Sequence, residues 1–217
     1  MPKYKLTYLV FRGRGEVIRL LFAAAGVEFE DVRVTLKDWP AVKEADPERK
    51  RILFNQLPIL EFDGHVLAQS HAIARYVANE FGFAGNTNLE KAKVDMIVSA
   101  LEDVYSQLGI NVFAEKDKAR KEAWFTEFRE TLLPKSLAAL EKLLTANGGG
   151  DGYFVGDSVT FADIMFADRV DLLVFHSSPD VLDGYPKLKA LKSRVEALPK
   201  IAEWIKKRPY APDFEYH

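Results

Sequence analysis

Apolar residues along this chain change period once. Through the first 81 residues, short strand-like runs alternate with helical stretches, and beyond them only helical spacing remains. Lys3 to Val10 is β-branched and aromatic enough for a strand, and Glu16 to Ala25 puts Val17, Ile18, Leu21 and Ala24 on one helical face before Gly26 stops it. Phe29, Val32 and Val34 mark a second strand, joined to the first by a right-handed crossover if the two are parallel. Ile59 to Phe62 and His65 to Ala68 flank Asp63-Gly64, a two-residue signal for an antiparallel hairpin. Ser70 then reads as the N-cap of a helix carrying Ile73, Tyr76 and Val77. The order is β-α-β, an irregular helix, then β-β-α.

Phe81 to Asn86, FGFAGN, lacks periodicity and carries the boundary. The division is a first domain at 1–81, a linker at 82–87 and a helical domain at 88–217. Thr87 to Glu90 forms a capping box opening a helix to about Ala114. A second helix spans Asp117 to about Asn147 with a bend expected at Pro134. After the loop NGGGDG, Thr160 and Asp163 make an aspartate variant of the capping box, with Val159 and Ile164 placed for a hydrophobic staple. The helix that follows is apolar on most sides, as in the centre of a bundle. Shorter helices near 187–197 and 200–207 precede an aromatic tail, Tyr210, Phe214 and Tyr216.

Composition narrows the chemistry. Thirty basic and 32 acidic residues leave a formal charge of -2, which gives a nucleic acid nothing to hold. No apolar run reaches the roughly 18 residues of a membrane helix, so a cytoplasmic protein without a membrane partner is expected. The chain has no cysteine, which removes disulfides, thiolate metal sites and a cysteine nucleophile. His65, His71, His176 and His217 are scattered and suggest no metal, and no serine sits in a nucleophile elbow. The stretch TYLVFRGRGEVIR resembles a phosphate loop only superficially, since Ile18 stands where a third glycine would be and no Gly-Lys pair follows.

Leu57-Pro58 opens a strand, where proline removes a ladder donor. By base rate it would be an ordinary trans bond, cis being about 5 to 6% of X-Pro bonds. In a βαβ-ββα domain, however, a proline here resembles the cis-proline of the thioredoxin fold. With KLTYLVFRGRGEVIR, WPAVK, QLPIL, LAQSHAIARYVA and TFAD in order over both halves, the chain resembles the cytosolic glutathione transferases, in detail their sigma class. The resemblance implies an α/β thioredoxin-like N-terminal domain followed by an all-α C-terminal helical domain. It implies a homodimer that takes glutathione as co-substrate, needs no metal, and conjugates glutathione to small hydrophobic electrophiles in detoxification.

Residue by residue, the resemblance makes Tyr8 the donor to the glutathione sulfur and Arg14 its supporting charge. Trp39 and Lys43 would hold the glycyl carboxylate, Gln56, Leu57 and Pro58 the cysteinyl part, and Gln69 and Ser70 the γ-glutamyl carboxylate. Asp103 would reach the glutathione amine of the partner subunit. Leu9, Phe11, Arg12 and Gly13, with Glu102 and Tyr105, would line the site for the second substrate. Taken alone, Tyr8 would read as a strand-end aromatic, Trp39 as core packing and Asp103 as an exposed helical carboxylate. Lowering a thiol from about 8.5 to about 6.5 requires roughly 2.7 kcal/mol of preference for the thiolate. One charge-assisted hydrogen bond supplies about 1.5 to 3 kcal/mol.

Two departures stand out. Asn55-Gln56 keeps hydrogen bonding but not charge where many relatives bring Lys or Gln, and the segment 46–54, DPERKRILF, is longer and more basic, with Arg49, Lys50 and Arg51 read as a solvated loop from which one side chain could reach the glycyl carboxylate. Some sigma members isomerise prostaglandin H to prostaglandin D; those vertebrate enzymes carry a tryptophan that Val98 to Phe113 lacks. Lens S-crystallins of the class have largely lost activity, but they carry an insertion where 114–120 is short, and Tyr8 is intact here; a non-catalytic binder of bulky hydrophobic compounds is the other alternative.

Overall fold

The computed structural model of the chain describes residues 3–46, 50, 52–108, 115–176 and 180–209. These fall into two units, one running to Phe81 and taking in the chain again from Leu198, the other being Gly82–Ala197. The sequence division, by contrast, places 88–217 in one domain.

The first unit is built on a four-stranded sheet. It runs β1 (Tyr4–Leu9), α1 (Glu16–Ala25), β2 (Phe29–Val34), α2 (Trp39–Glu44), β3 (Ile59–Phe62), β4 (His65–Ala68) and α3 (Ser70–Glu80), with strand order β2-β1-β3-β4. β1 and β2 are parallel from Tyr4–Phe29 to Leu9–Val34, whereas β3 is antiparallel to both β1 and β4. Asp63 and Gly64 both take positive φ in the β3–β4 turn, as a type I′ hairpin demands. Leu6, Ile18, Leu21, Phe22, Leu60, Ile73 and Val77 fill the core. Each fully buried aliphatic side chain contributes about 1.5 to 3 kcal/mol of transfer free energy. Tyr4 joins Phe22, Phe62 and Phe81 in an aromatic cluster under the sheet.

One expectation is corrected at α3. Gln69, at φ +70°, is the N-cap, and Ser70 is the first helical residue, 5% exposed. Serine favours caps by its side chain, but here the left-handed turn falls one position earlier.

The second unit comprises α4 (Asn88–Leu108), α5 (Lys118–Glu127), α6 (Leu133–Ala146), α7 (Phe161–His176) and α8 (Pro186–Glu196). The N-terminus of α4 is capped by the Thr87 hydroxyl, 3.1 Å from the Glu90 N–H, while Glu90 reaches back to the Asn86 N–H. Asp117 caps α5 through the Arg120 N–H. Where a bend is expected at Pro134, the backbone stays helical: a π-helical turn at Phe128–Leu132 leads directly into α6, whose second residue is Pro134, and the widened turn just before it suits a proline that cannot donate to the preceding carbonyls. Phe161, Ala162, Ile164, Met165, Phe166 and Val170 bury α7, which packs on α4 and α8. Asp163 fastens its start: the carboxylate accepts the Thr160 N–H and hydroxyl, both at 2.7 Å, and the Phe154 N–H at 2.8 Å.

In the first unit, α9 (Pro199–Lys207) packs on α1. The part of the first long helix expected at 109–114, loop residues Arg49 and Arg51, and the aromatic tail from Tyr210 lie outside the described residues. Among the described residues no helix is long and apolar enough to cross a membrane.

Candidate active site

β1 delivers Tyr8 near its C-terminal end, 7% exposed. The chain then bends back through a single 3-10 turn at Gly13–Gly15, whose end and the start of α1 are tied by the Gly15 and Glu16 N–H groups to the Arg12 carbonyl. This brings the Arg14 backbone N–H to the Tyr8 hydroxyl oxygen at 3.0 Å. The glycines are needed for room. A Cβ at Gly13, which also has φ +36°, would stand 2.7 Å from the Tyr8 hydroxyl, and one at Gly15 would run into the ring at Cδ1. The glycine pair thus holds a tyrosine ring rather than a phosphate. The hydroxyl oxygen accepts an N–H, and the accepted bond polarises the O–H toward donation.

A cleft of about 360 Å³ opens beside this turn, bringing together Arg14, Gln56, Leu57, Pro58, Gln69 and Ser70. The Leu57-Pro58 bond is cis. The β1–β3 register ends at Thr7–Ile59, which leaves the Leu57 backbone beyond the ladder. At the other side the first-turn amides of α3 face outward from the helix start, Ile73 being the first to bond back, to the Gln69 carbonyl at 2.9 Å. A helix N-terminus favours an anion, and Arg14 adds a cation. Phe54, 59% exposed, and Ala68 complete the lining, neither anticipated. Trp39 and Lys43 are not part of this lining. They sit together on α2, the ammonium 5.3 Å from the ring centre.

Two residues missed in the sequence underlie the turn. Arg19 is fully buried; it donates to Asp31 at 2.9 Å, to the Phe11 carbonyl at 3.0 Å and to the Leu9 carbonyl at 3.3 Å, with its guanidinium carbon 5.7 Å from the Tyr8 ring centre. Glu16, also buried, accepts from Arg19, Trp204 and Arg208. Burial alone would raise the Glu16 pKa, but Arg19, the Trp204 N–H and Arg208 outweigh it and hold the carboxyl below its usual value. The available signal was two charges on an otherwise apolar face of α1.

Leu9, Phe11, Arg12 and Gly13 are half-buried where the chain leaves β1, in the first unit. Glu102, Asp103 and Tyr105 lie on α4 in the second, Asp103 exposed and the other two half-buried. The guanidinium of Arg169, buried beside Asp168, lies 4.0 Å from the Tyr105 ring centre. Among the described residues no group of histidines and acids could hold a metal.

Comparison with known proteins follows the same lines. The family model for "Glutathione S-transferase, N-terminal domain" matches residues 4–79 and that for "Glutathione S-transferase, C-terminal domain" matches residues 102–208. Hematopoietic prostaglandin D synthase of Gallus gallus is 44% identical, over 96% of this chain and 98% of that protein. Glutathione S-transferase 1 of Ascaris suum is also 44% identical, over 98% and 100%. Among solved structures, rat hematopoietic prostaglandin D synthase complexed with a quinoline is 36% identical, covers 98% of this chain and 100% of its own, and superposes with a TM-score of 0.85. With relatives this similar over nearly its whole length, the chain belongs to the glutathione S-transferase family.

Proposed function

We propose that this chain is a sigma-class glutathione transferase of the cytoplasm. Its Tyr8 hydroxyl stabilises bound glutathione as the thiolate, and the sulfur then attacks a hydrophobic electrophile. The observation that carries this reading is the hydroxyl held by the Arg14 N–H at 3.0 Å, next to a cleft with a cation and a helix N-terminus. A donor aimed at a sulfur favours the charged form of a thiol. Arg14 adds positive potential, Ser70 and Gln69 offer the α3 N-terminus to the γ-glutamyl carboxylate, and the Leu57 backbone pairs with the cysteinyl part beside Pro58 and Gln56. Trp39 and Lys43 take the glycyl carboxylate from α2. The thiol proton leaves to solvent. With a chloronitrobenzene, a carbon–sulfur bond then forms as the carbon–chlorine bond breaks and chloride departs.

By resemblance to the family, Leu9, Phe11, Arg12 and Gly13 are assigned to the hydrophobic substrate, as are Glu102 and Tyr105. A conjugation assay with such a chloronitrobenzene should give turnover well above the uncatalysed rate. Background turnover with glutathione still bound would leave a non-catalytic, crystallin-like binder instead.

The prostaglandin isomerase reading draws on the chicken and rat relatives, and stands second because Val98 to Phe113 contains no tryptophan. Production of prostaglandin D from prostaglandin H in the presence of glutathione would move it to first.

The protein acts as a homodimer, in which the exposed Asp103 of each α4 serves the partner's glutathione amine. Leu53, Phe54, Leu89 and Met96 are large exposed apolar side chains that a partner surface could cover. Sedimentation equilibrium should give twice the chain mass. A monomer at micromolar concentration would remove both the dimer and the role of Asp103.

A further inference from the structure

Glu16 is the first residue of α1, next to the glycine against which Tyr8 packs, and is 1% exposed. Its two carboxylate oxygens serve different ends of the chain. Oε1 accepts from Trp204 Nε1 at 3.0 Å and from Arg208 Nη1 at 3.1 Å. Oε2 lies 3.3 Å from Arg19 Nη1. Arg19 carries the connection onward to the Leu9 and Phe11 carbonyls, where the strand bearing Tyr8 turns away, and past the Tyr8 ring. Asp31 anchors the guanidinium from β2 and is itself shared with Arg33 at 2.8 Å.

Holding α9 on α1 does not require this. α9 already packs on α1, and Trp204 also meets Phe29 of β2, their tilted rings 5.9 Å apart; apolar packing is a cheaper way to hold a helix than a buried ionic network, whose desolvation can exceed its attraction. The network does something packing cannot: it fixes the azimuth of one guanidinium beneath the catalytic turn. Glu16 holds Arg19 from one side while two main-chain carbonyls and Asp31 hold it from others. If Glu16 lost the indole N–H or the Arg208 charge, its remaining demand would fall on Arg19 and draw that guanidinium away from the carbonyls. The end of β1, and the Tyr8 hydroxyl with it, would lose its fixed aim.

We propose that Trp204 and Arg208 are positioning residues of the glutathione site, acting through Glu16 and Arg19 on the turn that carries Tyr8. The proposal rests on Tyr8 being the donor to the thiolate. It gives the C-terminal helix a role in catalysis though neither residue lines the glutathione cleft.

The test uses Trp204→Phe, which keeps an aromatic ring against Phe29 but removes the N–H, and Arg208→Gln, which keeps a donor but removes the charge. Both are made in the wild-type and Tyr8→Phe backgrounds, and the thiol pKa of bound glutathione is read from thiolate absorbance beside kcat/KM and thermal midpoint. In the wild-type background each should raise the bound thiol pKa and lower kcat/KM roughly 2- to 30-fold, the range of indirect couplings. In the Tyr8→Phe background that loss should vanish, because the double-mutant cycle isolates the shared route. A bound thiol pKa left at the wild-type value, with only the thermal midpoint lowered, would reduce Trp204 and Arg208 to a structural clamp. An equal loss in both backgrounds would show a route that bypasses Tyr8 and overturn the proposal. If Tyr8→Phe alone leaves the thiol pKa unmoved, the donor reading fails and the proposal with it, an outcome told apart by the parent variant.

Discussion

Tyr8→Phe should lower kcat/KM for glutathione conjugation by about 10- to 150-fold near neutral pH, the cost of one charge-assisted hydrogen bond. The substitution keeps the ring that fills the space over Gly13 and Gly15, so folding should be little affected. It removes only the hydroxyl that accepts the Arg14 N–H. The Arg14 N–H then turns to water in the cleft, and the sulfur loses its donor. Affinity for glutathione should change far less than turnover, since Gln69, Ser70, Arg14 and the Leu57 backbone still line the cleft. The deficit should also shrink as pH approaches about 8.5, where an unassisted thiol ionises on its own. A uniform loss at all pH values would point instead to a misplaced substrate.

Asp163→Ala should destabilise the fold by about 3 kcal/mol or more, judged by chemical denaturation, because it strands donors that are buried. Three hydrogen bonds end on this carboxylate, from Phe154, the Thr160 amide and the Thr160 hydroxyl. They fix the start of the helix that forms the centre of the second unit. Burial pushes its pKa up from 3.8 to about 6, against those hydrogen bonds. A folded value above the unfolded one means the native state binds the extra proton, so this group's contribution is full below about pH 4 and is lost as pH rises through about 6. The Asp163→Ala variant should lack that slope in addition to being less stable, a pattern that a simple cavity would not produce.

Much of this could be read along the chain because it is local. Strand alternation, the Asp63-Gly64 turn, Thr160 with Asp163, and the strand-to-helix junction around Tyr8 each declare themselves within a few residues. What escaped depends on distance or on backbone. Glu16 and Arg19 are two charges on an otherwise apolar face of α1, but nothing near them in the chain names Trp204, 188 positions from Glu16, as the donor that meets that carboxylate. Ser70 has the side chain of a cap, yet the positive φ lies at Gln69. Pro134 signals a bend along the chain, but the structure shows a π-helical turn at Phe128–Leu132 just before it, which spacing alone does not announce. Phe54 lines the cleft, but it ends the basic segment 46–54, where no periodicity assigns it a role.

The Tyr8 assignment is tested most directly by titrating the thiolate absorbance of glutathione bound to the wild-type protein. The expected midpoint lies about two units below the free thiol value of about 8.5, and returns toward it in Tyr8→Phe. A bound thiol that titrates like free glutathione, in a protein that still conjugates, would contradict the assignment of Tyr8 as the donor that stabilises the thiolate.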